Sequence, residues 1–308
     1  MSTWKLTLVA AALLGVAACR KTTPPQQFNS AEEAAAAFID AAEKFDEPAL
    51  LAILGSEGKP LVSSKDKVQD RRRSVEFAAE ARAQHRIELD SAGTTAILSV
   101  GDSDWPVPMP IVKEGATWHF DAGAGAEEVL LRRIGRNELD AIEVCRGFVE
   151  AEREYALTKH DGAKVNQYAQ RIISTPGKQD GLAWRNADGT WGGPVGEGIA
   201  RVIAEGYSDR YEPFHGYYFK ILKGQGPAAP MGEMDFRVKD VMIGGFALVA
   251  APAEYEVTGV KTFIVSHNGI VYEKDLGPET RGLFTTMDRY NPDSTWTPVP
   301  TDEAVATP

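Results

Sequence analysis

Cysteine is scarce in this 308-residue chain, which holds only Cys19 and Cys145, so no cysteine pair is available for a zinc site. Histidine is little richer. His85, His119, His160, His215 and His267 are scattered, and no His-Glu-x-x-His pattern occurs, which leaves a metal enzyme without support. Positive charge is in deficit, with 33 Lys and Arg against 44 Asp and Glu, a formal net charge of -11. Such a surface repels phosphate backbones and argues against a general binder of nucleic acid or anionic lipid. The Gly-x-Ser-x-Gly elbow of serine hydrolases is missing. Ser174 to Lys178 lacks the glycine cradle of a nucleotide-binding loop, and Lys159 and Lys164 stand where a calcium loop at 159–164 would need oxygen ligands. The sequence therefore names no cofactor and no metal. Long apolar runs are absent too, except at the start.

That exception is an address. Lys5 precedes an apolar stretch from Leu6 to Ala18 and then Cys19. The stretch would make roughly 20 Å of helix against about 30 Å of hydrocarbon, too short to span comfortably. Its end, Val16-Ala17-Ala18-Cys19, resembles the bacterial lipobox. The resemblance implies cleavage after residue 18, acylation of Cys19 and a membrane partner reached through a lipid anchor. Loss of Lys5 with residues 1–18 leaves 32 bases against 44 acids, a net charge of -12. Two acyl chains hold a protein on a membrane without crossing it. Arg20, where aspartate would retain a lipoprotein at the inner membrane, implies an outer-membrane, periplasm-facing location. Residues 19–27 read as a lipidated tether. With Cys19 acylated, Cys145 has no partner for a disulfide, and its position on an apolar helical face predicts a buried, inert thiol.

The remainder has the composition of a folded protein, 43% hydrophobic and 25% charged. A chain this long buries about three quarters of its unfolded surface, and the pattern divides it into two α+β units. The first, residues 28–122, opens with Ser30-Ala31-Glu32-Glu33, a capping box before a helix carrying Phe38, Ile39, Ala42 and Phe45. Pro48 opens a second helix stopped by Gly55, and Asp66 caps a third. On that helix Arg71, Arg72 and Arg73 read as a solvated face. Strand-like runs follow at 85–91, 94–100, 108–113 and 116–120.

The second unit, residues 123–290, begins with a helical stretch from Ala126 to Thr158. Its apolar stripe includes Val129, Leu130, Ile134, Leu139, Ile142, Cys145, Phe148, Val149 and Tyr155. The opposite face is charged and includes Arg132, Arg133 and Arg136. A loop-rich middle gives way to strand-like runs at 216–222, 246–252, 261–266 and 270–276. The last two are joined through Asn268-Gly269, which predicts a type I′ hairpin and an antiparallel meander on the long helix. Residues 291–308 read as a Pro-rich C-terminal tail.

Helices followed by a curled antiparallel sheet make the first unit similar to the nuclear-transport-factor-2-like (cystatin-like) superfamily. That resemblance implies a cone-shaped pocket, for which Trp105, Trp118, His119 and Asp121 are candidates. The segments 141–156, 170–184, 215–226, 244–278 and 104–120 resemble the bacterial family called domain of unknown function 2950, a likeness spanning residues 28–299. It implies architecture and envelope location but no activity. The long helix with the runs 216–222 and 246–273 is also similar to the headgroup of type IV pilins and pseudopilins. A polymerising apolar amino terminus is replaced here by the lipobox.

Trp184, Trp191, Tyr211, His215, Tyr217 and Tyr218 form an aromatic set suited to contacts with an envelope protein or glycan. The expectation from sequence is an outer-membrane lipoprotein acting as a noncatalytic binding or scaffold module. One alternative is a hydrolase or small-ligand-processing enzyme using the first-unit pocket, with His119 and Asp121 as acid and base. Another is an accessory of pilus assembly or secretion.

Overall fold

The computed structural model describes residues 23–204, 207 and 212–300; Cys19, the leader before it and Tyr211 lie outside the described residues. The fold is mixed α+β, with seven helices among the described residues, two larger antiparallel sheets and two separate apolar cores.

Helix α1 (Ala31–Lys44) starts where the sequence places it. Ser30 Oγ accepts the Glu33 N–H at 3.1 Å, while the Glu33 carboxylate accepts the Asn29 N–H at 3.0 Å, one residue before the reciprocal bond of a standard box. Asp46 caps α2 (Glu47–Leu54), a short α3 follows (Lys59–Val62), and Asp66 caps α4 (Lys67–Ala83) through the Gln69 N–H at 3.0 Å. The chain then forms β1 (His85–Leu89), β2 (Thr95–Val100), β3 (Ile111–Glu114) and β4 (Thr117–Phe120), antiparallel neighbours in that order. The partner of β2 is split. Trp105–Pro106 pairs with its end through Ser99 and Val100, and β3 pairs with its start through Thr95 and Ala96. Residues 107–110, with prolines at 108 and 110, bridge the two pairings. Between helices and sheet, Phe38 meets Phe77 at 5.4 Å and Phe120 at 4.9 Å between ring centroids.

Helix α5 (Ala122–Tyr155) begins four residues earlier than the sequence pattern indicates and runs unbroken through Gly135 for 34 residues, about 50 Å. It serves both units. Its first half meets α3 and the turn at Ser56–Gly58; its second half lies on the second sheet. A single 3.6-residue stripe therefore does not describe it. Leu139, expected inside, is 66% exposed, and Arg133, expected on the solvated face, is 8% exposed.

The second sheet orders β5 (Tyr217–Leu222), β6 (Ala247–Pro252), β7 (Lys261–Ser266) and β8 (Val271–Asp275) as an antiparallel meander. Every residue of β6 is buried, because α5 and a short helix at Thr280–Thr286 both pack near it, and this explains its unbroken apolar run. Tyr217, Phe263, Cys145 and Phe148 belong to this core. The Asn268-Gly269 connection is not type I′. Only Gly269 takes positive φ, at 79°, and its N–H donates to Ser266 O at 2.9 Å, so the loop is longer than two residues.

Both expected loose segments are partly seated. Gln26 N–H donates to Ala52 O at 3.0 Å, and Phe28 exchanges backbone bonds with Trp118 at 2.8 Å each. At the other end, Thr297–Pro298 adds an edge strand to β8, and Trp296 and Val299 pack on the second core, so the chain from 291 to 300 belongs to the fold.

Candidate functional site

A cavity of about 500 Å³ lies between helices α1–α5 and the segment 103–109 at the edge of the first sheet, within the ~300–1,000 Å³ of typical small-molecule sites. Its apolar wall comes from Phe38, Leu50 and Leu54 on α1 and α2, Phe77 on α4, and Val107 and Met109 on the segment bridging the split pairing of β2. Gly125 lets α5 close against that segment: a Cβ there would overlap the Pro108 carbonyl. Its basic groups are Arg73 from α4 and Arg132, Arg133 and Arg136 from α5.

Three of the four guanidiniums are held, each differently. Arg133 donates to Pro60 O and Leu61 O, both at 2.6 Å, which fixes α3 to α5. Arg73 donates to Asn137 Oδ1 at 2.7 Å. Arg132 pairs with Glu128 and lies 4.8 Å from the Trp105 ring centroid. Burial lowers the pKa of Arg73, and the neighbouring Arg133 and Arg136 charges lower it further; burial also lowers that of Arg133. The buried acid in the wall, Asp70, accepts the Ser64 N–H at 2.6 Å and Ser64 Oγ–H at 3.0 Å, and burial raises its pKa.

The sequence candidates for this pocket divide. Trp105 lines it. Trp118 is buried at the Phe28 bridge, with Lys113 Nζ 5.7 Å from its ring. His119 alternates with the buried Trp118 and Phe120 and so occupies the opposite face of β4, away from the helices. Asp121 accepts the Ala124 N–H at 3.0 Å as the cap of α5. Neither His119 nor Asp121 is among the cavity residues. The arginines were missed because a run at 71–73 looks uniform in sequence. Only Arg73 shares a helical face with Phe77, four residues on, and that spacing was the available signal.

The aromatic candidates do not form one surface. Tyr217 is fully buried, its hydroxyl donating to Lys261 O at 2.9 Å, which removes it as a contact residue. Tyr218 lies under the Arg281 guanidinium at 3.7 Å, and Trp191 under that of Arg185 at 4.2 Å. Trp184 packs against the second core and its ring lies 5.4 Å from that of His160. His215, in the left-handed region at φ 48°, places Nδ1 2.6 Å from Asp140 Oδ2.

That pair sits in a polar layer joining the units. Asp66 accepts Tyr207 Oη–H at 3.0 Å and the Gly216 N–H at 2.7 Å while capping α4, and Asn137 donates to Thr258 O at 2.8 Å. Gly216, at φ 76°, allows the turn to approach Asn137. The layer orients side chains but brings no nucleophile to His215 among the described residues. Among the described residues, no group of three His, Cys, Asp or Glu is placed to hold a metal ion, and no helix is long and apolar enough to cross a membrane.

The family model described as "Protein of unknown function (DUF2950)" matches residues 25–299. No curated protein and no solved structure matches the chain.

Proposed function

The chain belongs to the DUF2950 family, and we propose that it is a lipid-anchored, noncatalytic binding module of a bacterial envelope whose ligand site is the first-unit cavity. The observation that carries this reading is the cavity itself: about 500 Å³, apolar on its wall and edged by guanidiniums from two helices. A concave apolar chamber with a few convergent polar groups is the usual form of a small-ligand site. The lipobox ending at Cys19 supports acylation and an outer-membrane, periplasm-facing position. The split sheet under four helices is consistent with a cone of the nuclear-transport-factor-2-like kind, and the meander on α5 with a pilin-like headgroup reused as a scaffold.

The enzymatic alternative loses its named acid and base, because His119 and Asp121 are apart from the cavity. Native mass spectrometry of protein extracted from its own membranes tests the reading, comparing wild type with Leu61→Trp, which fills the cavity from α3. The expected wild-type spectrum shows a diacylglyceryl mass on Cys19 and a small-molecule adduct, and the variant loses only the adduct. An unmodified Cys19 overturns the anchor. An adduct unchanged in a folded Leu61→Trp protein overturns the cavity as the ligand site.

A further inference from the structure

We propose that the first-unit cavity takes an amphipathic monoanion, an acyl chain ending in a single carboxylate, with the tail along the Phe38 and Phe77 wall and the head at Arg73 and Arg136. This inference rests on the cavity being the ligand site. Two properties of the chamber narrow its occupant.

The first is the mixture of its surfaces. Phe38, Leu50, Leu54, Phe77, Val129 and Met109 supply hydrocarbon, while α4 and the first half of α5 also supply four guanidiniums. A ligand polar throughout would desolvate against the wall, and one apolar throughout would cover Arg73, Arg133 and Arg136 without bringing a carboxylate to balance their charge. A molecule with one apolar and one anionic end satisfies both.

The second is charge. The cavity residues include four arginines and three acids, Asp70, Glu76 and Glu80, which leaves one net positive charge. Asp70 is turned to Ser64, and Glu76 pairs with Arg72 at 3.6 Å. Arg73 and Arg133 bond only to neutral oxygens, and Arg136 has no carboxylate within ion-pair distance among the described residues. Burial lowers the pKa of Arg73, and the neighbouring Arg133 and Arg136 charges lower it further. An incoming carboxylate relieves that crowding and accepts two parallel N–H bonds from a guanidinium fork. A dianionic phosphate monoester would exceed the net charge available.

Calorimetric titration of the full chain carrying Cys19→Ser, so that its own acyl chains do not compete, provides the test. The probes are octanoate, decanoate and dodecanoate below their micelle concentrations, with 1-decanol, decyltrimethylammonium and decyl phosphate. Carboxylate affinity is expected to rise roughly fourfold per methylene, with decanoate at least about tenfold tighter than the other decyl probes. Arg73→Gln and Arg136→Gln should each weaken decanoate about tenfold and leave decanol unchanged, in proteins shown to be folded by circular dichroism. Decanol or decyltrimethylammonium binding as tightly as decanoate overturns the anion assignment while the cavity reading stands. Decyl phosphate binding more tightly overturns the monoanion assignment alone. No heat with any probe, and no change on Leu61→Trp, overturns both.

Discussion

Tyr207 Oη lies 3.0 Å from each carboxylate oxygen of Asp66, a residue 141 positions earlier in the chain. Asp66 also starts α4 and accepts the Gly216 N–H, so a single carboxylate serves a helix cap in the first unit and a turn in the second. Burial and the adjacent Asp66 charge push the Tyr207 hydroxyl pKa upward, so it stays protonated and donating.

Removing the two ends of this contact has unequal effects. Tyr207→Phe deletes one hydrogen bond to a charged group and is expected to cost about 2 kcal/mol. Asp66→Ala strands buried donors and removes a cap, and should cost more than about 3 kcal/mol. Urea unfolding of both variants checks the order; a Tyr207→Phe protein as stable as wild type would remove the contact from the account of how the units are joined.

Glu152 is expected to contribute less stability as the pH rises. It is fully buried on α5, one oxygen accepts the Ala169 N–H at 2.8 Å, and the other has no partner. Burial pushes its pKa up to about 8 from an ordinary value of 4.5. Between those values the unfolded chain has released this proton and the folded one keeps it. The stability contributed by this group therefore falls as pH rises through that window, by up to about 1.4 kcal/mol per pH unit, and levels off above pH 8. Glu152→Gln, which keeps the acceptor for Ala169, should flatten the slope. Equal slopes in wild type and variant between pH 5 and 8 would refute it.

Cys145 should be silent to thiol reagents in the folded protein. It is fully buried, and desolvation pushes its thiol pKa to about 12, leaving almost no thiolate at neutral pH. Labelling with an aromatic disulfide is expected only as the protein unfolds, at a rate that follows denaturant concentration. Stoichiometric labelling within minutes in native buffer would contradict the burial.

Gly125→Ala should damage the cavity edge as well as stability. The added methyl group meets the Pro108 carbonyl and the Met109 nitrogen, backbone atoms that cannot rotate aside. A loss of about 2 kcal/mol is expected from overpacking, and binding of any cavity probe should weaken more than in Gly135→Ala, where nothing lies within 4 Å of the new methyl. Similar effects at the two glycines would show that α5 does not press on this segment.

Local chemistry made much of the fold legible. Ser30 and Asp66 announce their helices because a capping side chain bonds to backbone two or three residues away. The apolar runs at 246–252 and 261–266 announce strands for a similar reason. The cavity edge was opaque. Arg73 and Arg133 owe their burial to residues 64 positions away in one case and more than 70 in the other, and no local period encodes such a meeting. The reading of Arg133 as solvated failed because it extended the stripe of the second half of α5 through the first. Within the aromatic set, strand alternation sends Tyr217 into the core and places Tyr218 under Arg281.

One 34-residue rod supplies Val129 and Arg133 to one interior and Phe148 and Tyr155 to the other, so a cut along it would strip a wall from one side or leave an oily flank bare on the other.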